Sequence, residues 1–101
     1  MRKYMGMMLV MAACTTAPVV ADEALATAKG CLACHQVAVK VVGPAYKDIA
    51  AKYKEEADAA TVLAGKIKLG GVGTWGPIPM PPQPTLSDDE AATLAAWVLT
   101  L

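Results

Sequence analysis

Cys31-Leu32-Ala33-Cys34-His35 constrains this chain more than any other stretch. Two thiols three residues apart, with an imidazole directly after them, are the arrangement that covalent haem attachment requires. The thiols can add to the two vinyl groups of a porphyrin. The histidine then lies under the iron and offers it a ring nitrogen. Two other chemistries use a Cys-x-x-Cys pair. A structural zinc site takes four N or S ligands, and after His35 the sequence has no further Cys or His. A redox dithiol of the thioredoxin kind sits beside a βαβ pattern, and none is visible here. The motif therefore reads as the anchor of one covalent haem.

The 101 residues allow one small domain. Its first segment reads as a targeting signal: Met1-Arg2-Lys3 is basic, Met5 to Ala13 is apolar, and Val19-Val20-Ala21 ends in small residues. The apolar run is too short to span a bilayer as a helix. Cleavage is expected after Ala21, leaving a domain of residues 22–101. Nine basic residues balance nine acidic ones over the whole chain. Loss of Arg2 and Lys3 leaves seven against nine, a net charge of −2, which argues against nucleic acid as a partner. Cleavage also removes Cys14 and makes Met80 the sole methionine. Met11-Ala12-Ala13-Cys14 has a second reading as a lipoprotein cleavage box, in which a lipid on Cys14 would tether the domain to a membrane.

Within 22–101 the patterning predicts helices over 22–29, 45–53, 58–68 and 87–99. Pro44 opens the second, Asp58 is a candidate cap for the third, and Ser87 with Glu90 forms a capping box on the fourth. Gly70-Gly71 stops the third. Val37, Val39, Val41 and Val42 read as an extended loop without a partner strand. Residues 71–84, rich in Gly and Pro, read as a long irregular loop, which in a small domain is usually functional. Pro79 and Pro81 restrict the backbone around Met80, a rigid frame suited to an iron ligand. Trp75, in the same loop, reads either as a loop anchor or as a donor closing the haem pocket. The domain has no Phe and much alanine, so it is short of core volume that a buried haem would supply.

Four segments together resemble the small bacterial class I cytochromes of the cytochrome c-551 type. They are Cys31-Leu32-Ala33-Cys34-His35, Val42-Gly43-Pro44-Ala45-Tyr46-Lys47-Asp48, Trp75-Gly76-Pro77-Ile78-Pro79-Met80-Pro81-Pro82 and Ser87-Asp88-Asp89-Glu90. The resemblance implies an all-α fold of four to five helices around one covalently bound haem c. It implies His35 and Met80 as axial iron ligands and Cys31 and Cys34 as the thioether anchors. It further implies that the Pro44 carbonyl orients the histidine and that Trp75 contacts a propionate. Lys66 stands where relatives often carry arginine, so a bidentate propionate contact is not available there.

The expected function is one-electron transport in the periplasm by a monomer that is not an enzyme. It would meet redox proteins as donor and acceptor, and it needs neither nucleic acid nor a small-molecule substrate. Two rivals differ in mechanism. One is a lipid-tethered module feeding a fixed redox enzyme; the other is a haem sensor or peroxidase with a displaceable sixth ligand. Ala33 with Val37, Val39 and Val41 would form an apolar contact patch, and Lys29, Lys40 and Lys47 a steering rim.

Overall fold

The computed structural model describes residues 18–101, and nothing of the side chains of 18–21. Most of the expected leader, with Cys14, lies outside the described residues. Four helices follow in order: α1 (Pro18–Ala28), α2 (Tyr46–Tyr53), α3 (Ala59–Leu69) and α4 (Asp88–Val98). Cys31–Ala33 forms a single 3₁₀ turn after α1. Gly30 precedes it with φ 76°, a left-handed conformation that breaks the helix and redirects the chain. Among the described residues no helix is long and apolar enough to cross a membrane.

Helix α4 is the organising element and packs against α1, α2 and α3. Its start is fixed locally. The Ser87 hydroxyl accepts from the Glu90 amide at 3.0 Å, and the Glu90 carboxylate accepts from the Ser87 amide at 3.0 Å. This is the capping box expected from the sequence, and the Ser87 amide bond holds the Glu90 carboxyl below its ordinary range. One side of α4 buries Leu94, Trp97 and Val98 with Ala26, Tyr46 and Leu86. The other buries Ala95 with Tyr53, Ala59 and Leu63. Two ion pairs brace the periphery, Lys29–Glu90 at 3.3 Å and Lys68–Asp88. Both are exposed and contribute little on their own.

Two expectations need correction. Asp58 occupies the position before α3, but its side chain makes no capping hydrogen bond. The 71–84 stretch is not wholly irregular: β1 (Gly71–Gly73) pairs antiparallel with β2 (Gly76–Met80), Gly71 opposite Met80 and Gly73 opposite Gly76. Gly73 at φ 102° and Gly76 at φ 118° make the tight reversal around Thr74 and Trp75. Each strand of a lone hairpin keeps one free edge, so Pro77 and Pro79 are tolerated in β2. The fold remains helical, with this hairpin added to it.

Candidate functional site

The 3₁₀ turn, α2, α3, the 71–81 hairpin and α4 enclose a cavity of about 500 Å³, within the size range of cofactor sites. All six residues singled out from the sequence line it: Cys31, Cys34, His35, Pro44, Trp75 and Met80. Residues 45–50 positions apart in the chain thus share one wall-to-wall space. Lys66 lines it too, from the last turn of α3.

The motif end is fixed by backbone bonds. The His35 amide donates to the Cys31 carbonyl at 3.0 Å, which holds the turn between the two cysteines. The Gly43 amide donates to the Cys34 carbonyl at 2.8 Å, bringing Gly43-Pro44 back against the motif. There His35 Nδ1 lies 2.8 Å from the Pro44 carbonyl. A carbonyl only accepts, so Nδ1 carries the proton and Nε2 keeps its lone pair. An imidazole in this tautomer is a ready metal ligand through Nε2. Cys31 and Cys34 form no disulfide; Cys34 is exposed and Cys31 half-buried. Burial pushes the Cys31 thiol up, against a lowering contact from the Tyr46 hydroxyl.

Gly43, next to Pro44, has a steric role that no pattern in the sequence marks. A Cβ at position 43 would sit 2.5 Å from His35 Cε1 and 2.8 Å from Nδ1. Only glycine lets the imidazole lie flat over the chain. Gly43→Ala is expected to lower stability by about 1–3 kcal/mol, the usual range for overpacking, read from a denaturant midpoint. Gly65→Ala is the control, because a Cβ there meets nothing within 4 Å; it should leave the midpoint unchanged or raise it.

The opposite wall is the hairpin. Gly70 ends α3 at φ 69°, and a Cβ there would strike the Met80 carbonyl and approach the Pro82 nitrogen to 2.8 Å. This glycine therefore does two things: it stops the helix and lets the Met80 segment cross its end. The Gln83 amide donates to the Lys68 carbonyl at 2.9 Å and ties the outgoing chain to α3. Met80 is half-buried on the cavity side. Trp75, at the hairpin turn, is 42% exposed and lies under the Lys52 ammonium, 5.9 Å from the ring centre.

Tyr46 is buried and faces His35. Desolvation pushes its phenol well up, and the neighbouring Cys31 adds to this, so the ring stays neutral. No signal in the sequence marked that contact, since it depends on where the 34–37 and 43–47 segments meet.

The donor set fits a haem. Two thiols, one imidazole with a free nitrogen and one thioether surround a cavity with apolar walls, among them Ile49, Leu63, Ile67, Leu94 and Val98. Among the described residues no group of three or more His, Cys, Asp or Glu is arranged to hold a bare metal ion.

Comparison with known proteins agrees. Residues 21–101 match the family model described as cytochrome c. The chain is 63% identical over 81 residues to cytochrome c-552 of Nitrosomonas europaea, covering 80% of this chain and 79% of that protein. It is 59% identical over 78 residues to cytochrome c-551 of Pseudomonas aeruginosa, covering 77% and 74% of the two. The crystal structure of wild-type Nitrosomonas europaea cytochrome c552 superposes with a TM-score of 0.77 at 62% identity, over 78% of this chain and 98% of that one.

Proposed function

This chain belongs to the cytochrome c family, an electron-carrier family that binds haem c covalently, and from that premise we propose that it is a periplasmic one-electron carrier with His35 and Met80 as axial ligands. The observation that carries the reading is the convergence of Cys31, Cys34, His35 and Met80 on one apolar cavity. Cys31 and Cys34 would hold the porphyrin through thioether bonds; Trp75 and Lys66 line the same cavity, and Trp75 would contact a propionate. The group supplies, when bound, an iron that alternates between ferrous and ferric states. The chain does the rest. Pro44 keeps the His35 tautomer, Gly70 and the flanking prolines keep the Met80 backbone in place, and the apolar wall excludes water. A thioether ligand and a dry surround both favour the less charged ferrous form, which raises the reduction potential. Residues 1–21 serve as the export signal, and the exported domain 22–101 works as a monomer.

Optical spectra of the exported protein in both redox states, with its intact mass after acid–acetone extraction, test this. One retained haem and a low-spin spectrum in both states are expected. Haem that extracts freely would refute thioether attachment, and a high-spin, open-coordinate spectrum would favour a sensor or peroxidase. N-terminal sequencing should give Asp22; a lipid-bearing Cys14 would establish a tethered form instead.

Docking follows from the surface beside the motif. Val39, Val41 and Val42 are exposed, with Ala33 and Cys34 next to them. Val37 is not part of this patch, since it packs against the core. Of the nearby lysines, Lys29 is engaged with Glu90, while Lys40 lines the cavity mouth. A carrier needs a small interface and fast release. Lys40→Glu is therefore expected to slow association with the redox partner more than Lys54→Glu, and the difference should shrink as salt shortens the Debye length to ~8 Å at 0.15 M. Equal effects at both positions, measured by stopped flow, would leave the valine patch as the whole docking surface.

A further inference from the structure

The His35 ring is pinned at two points, its own Cβ–Cγ bond and the Nδ1 hydrogen bond to Pro44 at 2.8 Å. That hydrogen bond restrains rotation about Cβ–Cγ from one edge of the ring and leaves the ring faces to be held by packing. Gly43 lies close under one part of the ring but offers no side chain to clamp it. The contact that remains is Tyr46, whose ring stacks on the imidazole at 5.1 Å between centroids and 19° between planes. Tyr46 is itself held from both directions. Its amide donates to the Gln36 carbonyl at 2.9 Å, and the next amide, Lys47, donates to the Val37 carbonyl at 3.0 Å. These bonds stitch the start of α2 to the segment that follows His35. Behind Tyr46 stands Trp97 of α4, edge-on at 5.3 Å and 69°. Trp97 is 3% exposed, and its indole N–H has no hydrogen-bond partner. Its ring is what meets Tyr46, as a brace.

We propose that Tyr46, braced by Trp97, is the positioning residue that sets the plane of the His35 imidazole. The inference rests on His35 being the axial ligand. It adds that the aromatic ladder His35–Tyr46–Trp97 transmits the packing of α4 to the ligand plane. The stack, not the hydroxyl, carries the effect. A planar apolar ring at position 46 should suffice, and a branched aliphatic side chain should not.

The test is ¹H NMR of the ferric holoprotein, where the spread of the four haem methyl resonances reports the ligand plane. The wild-type protein should show hyperfine-shifted His35 ring protons. Their absence would overturn the ligand assignment, and with it this inference. With them present, Tyr46→Phe should keep the wild-type spread. Tyr46→Leu should contract it, because a rocking ring averages over orientations. A Tyr46→Leu protein with the wild-type spread overturns the proposal alone, as does a Tyr46→Phe protein altered as much as Tyr46→Leu. If Tyr46→Leu does not fold, Trp97→Phe takes its place. That change withdraws the brace while keeping a ring in the core, and it should contract the spread in the same sense. An unaltered spread in a folded Trp97→Phe protein overturns the proposal.

Discussion

With Met80 as the proposed iron ligand, Met80→Ala is expected to lower the reduction potential by on the order of 0.2 V, a sizeable fraction of the roughly 0.8 V that axial ligands span. The thioether would be the soft ligand that favours ferrous iron, and alanine would leave its coordination position to water or to an added ligand. The described residues place no histidine other than His35 and no second methionine by the cavity to replace it. Helices α3 and α4 do not depend on the Met80 side chain, so the variant should still fold and still carry its haem. Potentiometric titration gives the potential, and imidazole binding should appear in the variant at concentrations that leave the wild type untouched. An unchanged potential with no gain in imidazole binding would mean that another group is the sixth ligand.

The second large effect is on folding. A Cys31→Ala/Cys34→Ala protein, unable to retain haem, is expected to lose most of its helical signal. Among the described residues, six of the thirteen buried apolar ones are alanines: Ala26, Ala45, Ala50, Ala59, Ala91 and Ala95, and Leu94 is the one large side chain buried to below 2% exposure. The core therefore surrounds a space of about 500 Å³ instead of filling it. The site must be filled, flooded or collapsed, and an 80-residue chain has little reserve for the last two. Far-UV circular dichroism and a denaturant titration of the double variant measure this directly. Native helix content with a cooperative transition would show that the alanine-rich core holds without its cofactor.

Much of this was legible in the residues because the chemistry is local. Cys31, Cys34 and His35 occupy five consecutive positions, so the haem reading needed no tertiary information. The Ser87–Glu90 capping box is likewise a contact over three residues, and it formed as expected. Helix extents came within a few residues, since apolar spacing at 3.6 per turn is written along the chain. The 71–84 segment shows where such reasoning stops. Its prolines and glycines argue against regular structure taken singly, yet a two-residue reversal between Gly73 and Gly76 pairs the flanks into a hairpin. Asp58 has the composition of a cap but not the geometry, because its backbone at φ −101°, ψ 21° does not aim the carboxylate at the helix amides.

By itself, then, the sequence determined the cofactor chemistry and the helical class and named candidate donor groups, because the motif and the helical periodicity rest on residue type and on spacing of a few positions. Only the tertiary structure decided how those donors are held. It set Pro44 as the partner of His35 Nδ1, made glycine obligatory at positions 43 and 70, turned Val37 inward while leaving Val39 at the surface, and stacked Tyr46 between His35 and Trp97. The longest of the aromatic contacts, Tyr46 with Trp97, joins residues 51 positions apart. These contacts arise when α4 packs across the other helices and closes the cavity wall, and no local pattern along the chain encodes that arrangement.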